Sequence, residues 1–117
     1  MTDKELLELA AKAAGYEVRW HDLWKCFVHV NPHYIDYPQT MAGSRPHWVP
    51  LDDDGDALRL AVKLDLLVNV WNAANKTCVR GATADGEVEG VEMHFSDPYA
   101  ATRRAIVRAA AEIGRTK

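Results

Sequence analysis

Trp48-Val49-Pro50-Leu51-Asp52-Asp53-Asp54-Gly55-Asp56-Ala57-Leu58 is the stretch that decides how this 117-residue sequence is read. Its acidic knot precedes an apolar run. Asp53 or Asp54 can accept hydrogen bonds from the free N–H groups of a first helical turn, and the negative charges suit the positive end of a helix dipole. The helix that follows is expected to bury Leu58, Ala61, Val62 and Leu64. An EF-hand is excluded. A calcium loop with Gly55 at its sixth position would begin at Pro50 and place Ala61 where a bidentate glutamate is required. The acids therefore read as a helix start, and no metal or other cofactor is expected.

Immediately upstream, Asn31 to His47 carries neither a helical nor a strand period and is punctuated by Pro32, Pro38, Gly43 and Pro46. Long loops inside compact domains are functional or disordered. This one is rich in rings. Trp24, His33, Tyr34, Tyr37, Arg45, His47 and Trp48 are accordingly the candidate ligand- or partner-binding residues, since aromatic and Arg side chains dominate interface energetics.

Further upstream, Thr2 and Glu5 have capping-box spacing. Leu6, Leu7, Ala10, Ala13 and Ala14 form one helical face, and Gly15 stops a helix over about residues 3–14. Tyr16–Trp20 and Trp24–Val30 read as strands about a His21-Asp22-Leu23 turn. Alternation puts Cys26, Val28 and Val30 on the core face and Lys25, Phe27 and His29 on the other. Downstream, Leu66–Trp71 reads as a strand. A hairpin of about residues 77–83 and 88–95 turns at Asp85-Gly86, with Val91, Met93 and Phe95 inward. Asp97-Pro98 opens a last helix that runs to about Ile113, ends at Gly114 and buries Tyr99, Ile106, Ala110 and Ile113.

The order is α-β-β-α-β-β-β-α, an α+β fold of about three helices on a small, mainly antiparallel sheet. One domain over residues 1–117 is expected, with no internal repeats and no linker. Apolar residues make up 48% and charged residues 26%, which is ordinary for a globular chain. The widely separated Cys26 and Cys78 fit reduced thiols better than a disulfide framework. The start Met1-Thr2-Asp3-Lys4-Glu5 lacks signal-peptide character, and no apolar run approaches a membrane span. Net charge is −3. A generic nucleic-acid binder is normally more basic.

Three blocks carry a family resemblance: Thr2 to Gly15, Asp52 to Leu64 and Asp97 to Ala111. Together they resemble the phage α-β-α sandwich domain family and, more distantly, the NinX-like proteins of lambdoid phages. The resemblance implies an α-β-α sandwich encoded by a phage or prophage and located in the cytoplasm of the bacterial host. It brings no defined reaction and no catalytic residues to carry over.

Chemical signatures are sparse. Cys26 and His29 stand three apart on a strand and so point to opposite faces, which separates them as nucleophile and base. Arg104 and Arg108 lie on one face of the last helix, where they form a weak phosphate-binding candidate or a solvated face suited to the helix C-terminal half. The favoured expectation is a non-catalytic binding protein that inhibits a host system in counter-defence, by occluding a host protein surface or by sequestering a nucleotide-like signal. The alternatives are a small enzyme acting on a nucleotide or phosphorylated substrate, with His33 or His47 as acid/base and Arg45 on the phosphate, and a nucleic-acid binder using the last helix. A homodimer through exposed edge strands is a further expectation.

Overall fold

The computed structural model describes residues 1–30 and 47–117. Helix α1 (Asp3–Ala14) begins where Thr2 Oγ1 accepts the Glu5 N–H at 3.1 Å and ends on Gly15 at φ 75°, the left-handed conformation that glycine adopts without penalty. Strands β1 (Val18–His21), β2 (Cys26–His29) and the two-residue β3 (His47–Trp48) form one antiparallel sheet in the order β1-β2-β3. Helix α2 (Asp54–Lys63) is capped by Asp53, which accepts the Asp56 N–H at 2.8 Å. Strands β4 (Leu67–Trp71), β5 (Lys76–Thr83) and β6 (Gly86–Met93) form a second antiparallel sheet in the order β4-β5-β6. Helix α3 (Pro98–Arg115) starts on Asp97, whose Oδ1 accepts the N–H groups of Tyr99 and Ala100. The expected α+β order is present; β3 is added to it, and the strands divide between two sheets. Among the described residues, no helix is long and apolar enough to cross a membrane.

One core draws on all three helices and both sheets, through Leu6, Phe27, Trp48, Leu60, Val79 and Val107 among others. Its tightest seats are glycines. A Cβ on Gly90 of β6 would press into the Ala105 carbonyl oxygen and come 2.9 Å from the Ala109 nitrogen, so α3 lies directly on the sheet there. A Cβ on Gly114 would run into the Leu9 carbonyl oxygen, which makes Gly114 the α1–α3 crossing point. Helix α3 does not stop at Gly114 as expected but continues to Arg115, because that glycine serves packing and not termination.

Several expected faces are rotated. In β2 the expected Val28 is buried, but so are Phe27 and His29 on the other face, while Cys26 is half-buried and Val30 exposed, because Phe27 pairs with Trp48 and these two large rings bury more apolar area than Cys26 and Val30 would. In β6 it is Gly90 that meets α3, so Val91 and Met93 turn away from the helices, and Phe95 beyond them is 84% exposed. Tyr99 is 70% exposed. Helix α2 buries Ala57, Leu60 and Ala61 and exposes Leu58 and Val62, since the small alanines allow the closer approach.

An internal repeat is also present where none was expected. Val18 pairs with His29 and Trp20 with Phe27; fifty positions later Val68 pairs with Val79 and Val70 with Thr77. The connections match as well. Gly15 and Asp65 both have positive φ, Lys25 and Asn75 likewise, and the Tyr16 N–H bonds to the Ala11 carbonyl as the Leu66 N–H bonds to that of Ala61. Helix, left-handed cap, strand, left-handed turn and strand therefore occur twice. The side chains share little because only backbone geometry and burial are repeated.

Packing at the glycines sets an order of stability effects. Gly90→Ala and Gly114→Ala should each cost about 3 kcal/mol or more, the overpacking penalty for backbone that must move. Gly15→Ala, with open space around it but a positive φ, should cost only about 1 kcal/mol. Urea denaturation midpoints at constant m-value check the ranking.

Candidate binding surface

The acidic knot is consumed by structure. Asp53 caps α2, the buried Asp56 accepts the Val49 N–H at 2.9 Å and the Arg59 guanidinium at 2.7 Å, and Asp54 meets Arg103 at 2.7 Å. Arg103 also donates to the Leu51 carbonyl at 2.9 Å, tying α3 to the entry of α2.

The expected aromatic site is only partly on view, because His33, Tyr34, Tyr37 and Arg45 lie outside the described residues. Of the rest, Trp48 is a core residue, 2% exposed, edge-on to Tyr16 at 6.0 Å. Trp24 and His47 do come together, with ring centroids 4.5 Å apart, and Trp24 stacks on His21 at 4.1 Å. The Trp24 N–H donates to His21 Nδ1, which holds that stack. His21 was not singled out from the sequence, although it closes the same turn.

Arg104 and Arg108 are engaged. Arg104 reaches Asp3 at 2.7 Å and Glu92 at 3.2 Å; Arg108 reaches Glu92 at 3.0 Å and donates to the Val91 carbonyl at 3.3 Å. Hydrogen bonding to Asp3 holds the Arg104 guanidinium above its ordinary value. Glu92 pairs with Thr77 as Trp48 pairs with Phe27 in the first sheet, and so occupies the equivalent helix-facing position. The two arginines neutralise a carboxylate that the fold directs toward α3. With Arg115, Glu89 and Glu112 they border a depression of about 420 Å³.

A polar trio built on the buried Thr77 and His94 escaped the sequence reading. Thr77 Oγ1 lies 2.7 Å from His94 Nε2 and 2.9 Å from Thr102 Oγ1, joining β5, the segment after β6, and α3. A hydroxyl beside an imidazole is a nucleophile–base geometry. Thr77 is 0% exposed. The trio fastens α3 to the sheet, with Thr102 half-buried where it lines the groove beside Val68, Val70 and Tyr99. Among the described residues no group of three His, Cys, Asp or Glu side chains is arranged to hold a metal ion.

Several large apolar side chains are exposed on the face of the second sheet turned away from α3. Pairing places Trp71 beside Lys76 and Met93, with Cys78 between Asn69 and Val91 and Arg80 between Leu67 and Glu89. Leu67 is 57% exposed, Trp71 49% and Met93 47%, with the Lys76 ammonium 5.3 Å from a Trp71 ring centroid. Phe95 follows with φ 51°, a left-handed conformation costly for a bulky side chain. Monomeric proteins seldom leave such patches open without use. Comparison of the chain with protein-family models, curated proteins and solved structures finds no match.

His29 gives the fold a pH dependence. Burial drives its imidazole from 6.5 down to about 4, with Asp56 opposing the fall and Arg59 adding to it. The unfolded chain then binds more protons than the folded one between these values, so stability rises with pH. The contribution should be complete above about pH 6.5 and lost progressively toward pH 4. Urea midpoints measured from pH 7 to pH 5 should fall in the parent protein, and the slope should flatten in His29→Gln.

Proposed function

We propose that this chain is a small phage or prophage accessory protein that acts as a non-catalytic binding protein, blocking a host system by occluding a host protein surface. The observation that carries this reading is the open apolar face of the second sheet, with Leu67 and Trp71 exposed on β4 and Val91 and Met93 on β6. Tryptophan and methionine are enriched at interface cores, and a polar rim like that formed here by Lys76, Arg80 and Glu89 commonly surrounds them. The exposed Phe95, held at a costly φ, supports the same reading, because backbone strain tends to persist where function over-determines it. The phage setting rests on the resemblance of the three helical blocks, and the bacterial cytoplasm as place of action follows from that setting.

Sequestration of a nucleotide-like anion is a second reading, favoured by the three guanidinium groups of Arg104, Arg108 and Arg115 around one depression. It is the weaker of the two. Phosphate would have to displace Asp3, Glu92 and Glu112 from pairs already made.

Trp71→Ala should weaken the host-partner complex by about 2 kcal/mol, roughly thirtyfold, as loss of an interface anchor does. Met93→Lys should do the same while changing monomer stability by less than about 0.5 kcal/mol, since the side chain is already exposed. Biolayer interferometry against the partner isolated from host lysate measures the first effect, and thermal melts measure the second. Unchanged affinity in both variants, with Arg104→Ala abolishing nucleotide binding instead, would transfer the site to the arginine depression.

A further inference from the structure

The two edges of the second sheet are built in opposite ways. Strand β6 is blunted by Glu87, Glu89 and Glu92, and Arg108 donates to its Val91 carbonyl. Among the described residues, strand β4 has no such protection. Its sequence, Leu67-Val68-Asn69-Val70-Trp71, holds no charge and no proline, and its one strand partner among the described residues is β5. Leu67 and Trp71 are exposed on one side of the sheet and Val70 on the other, where the edge borders a groove of about 350 Å³ lined by Leu58 and Tyr99. An apolar, uncharged edge of this kind is a template for another strand.

We infer that β4 pairs antiparallel with β4 of a second copy of this chain, about a two-fold axis at Asn69. The choice of a second copy rests on the symmetry of the strand itself. Antiparallel pairing centred on Asn69 sets Val68 against Val70 of the other copy and Leu67 against Trp71. Every residue then meets one of its own class, on its own face of the sheet, and no charge meets a like charge. A two-fold interface requires this self-complementarity. A register shifted by one residue would instead turn the exposed Leu67 and Trp71 against the opposite face. The product is one continuous six-stranded sheet whose two open apolar faces become a single surface. The pairing is independent of the host partner proposed above.

Sedimentation equilibrium at tens of micromolar should give twice the chain mass of 13.1 kDa. Asn69→Lys and Asn69→Asp each set like charges opposite one another and should weaken the dimer at least about tenfold, whereas an equimolar mixture of the two should restore it. As an independent geometric readout, Asn69→Cys should form a disulfide-linked dimer under mild oxidation, because directly opposed Cβ atoms lie about 4.5–5.5 Å apart. A monomeric parent protein overturns the inference. So does a dimer that survives both charge variants, a mixture that stays monomeric, or a dimer lost with Met93→Lys and kept with Asn69→Lys, which would place the interface on the open face. Loss of host-partner binding in Met93→Lys with the dimer intact leaves the pairing standing, so the two readings fail separately.

Discussion

The seating of α3 on bare backbone is the contact from which the rest follows. At Gly90 the helix rests on β6 without an intervening side chain, and at Gly114 it crosses α1 in the same way. Such closeness maximises dispersion contact along a helix whose buried positions include Ala101, Ala105, Ala109, Ala110 and Ala111. It also fixes the register of β6. With Gly90 committed to the helix side, its neighbours Val91 and Glu89 must point the other way, as must Met93 three residues along. The open apolar face is therefore a direct consequence of where a glycine sits.

The same commitment explains the charges. Glu92 shares the helix side of β6 with Gly90, and a carboxylate placed against a helix must be neutralised or left at high cost. Arg104 and Arg108, one turn apart on α3, supply the pairing, and Arg103 on the adjacent face supplies a different one, to Asp54 and the Leu51 carbonyl. The basic end of the sequence and its acidic middle are thus matched within the fold. For that reason the arginine stripe is a weaker candidate for phosphate than its spacing alone suggested.

What was legible in the sequence is what local chemistry determines. Thr2, Asp53 and Asp97 cap their helices because a side-chain oxygen ahead of an apolar period has few other uses; the hairpin turns one residue earlier than expected, since Thr83 pairs with Gly86 and the loop is Ala84-Asp85, with positive φ at Gly86 alone. Faces were less legible. Leu58, Val62, Tyr99, Val91 and Met93 are apolar and correctly spaced, yet exposed, because smaller residues beside them took the core positions. Alternation shows that two faces exist without showing which one is buried, and the size of Gly90 and Ala57 was the available clue. The Thr77–His94–Thr102 trio joins residues 17 and 25 positions apart. No spacing rule reaches that far, although an isolated His at the end of an alternating strand was a hint. The repeat was hidden for a related reason, since it preserves left-handed caps and strand register while replacing Gly15 by Asp65 and Lys25 by Asn75.

Because the two halves share one backbone plan, their differences locate what each sheet is for. In the first sheet the helix-facing position next to Phe27 is filled by Trp48, and the other face carries the ring group of His21, Trp24 and His47. In the second the corresponding helix-facing position is Glu92, neutralised from α3, and the other face carries Trp71, Val91 and Met93 in the open. In the second use of the plan Gly90 takes the helix-facing position and sends Val91 and Met93 outward, where they stay exposed. The repeat supplies its own control. The backbone plan is common to both sheets, so the difference between their outer faces lies in the side chains each one carries.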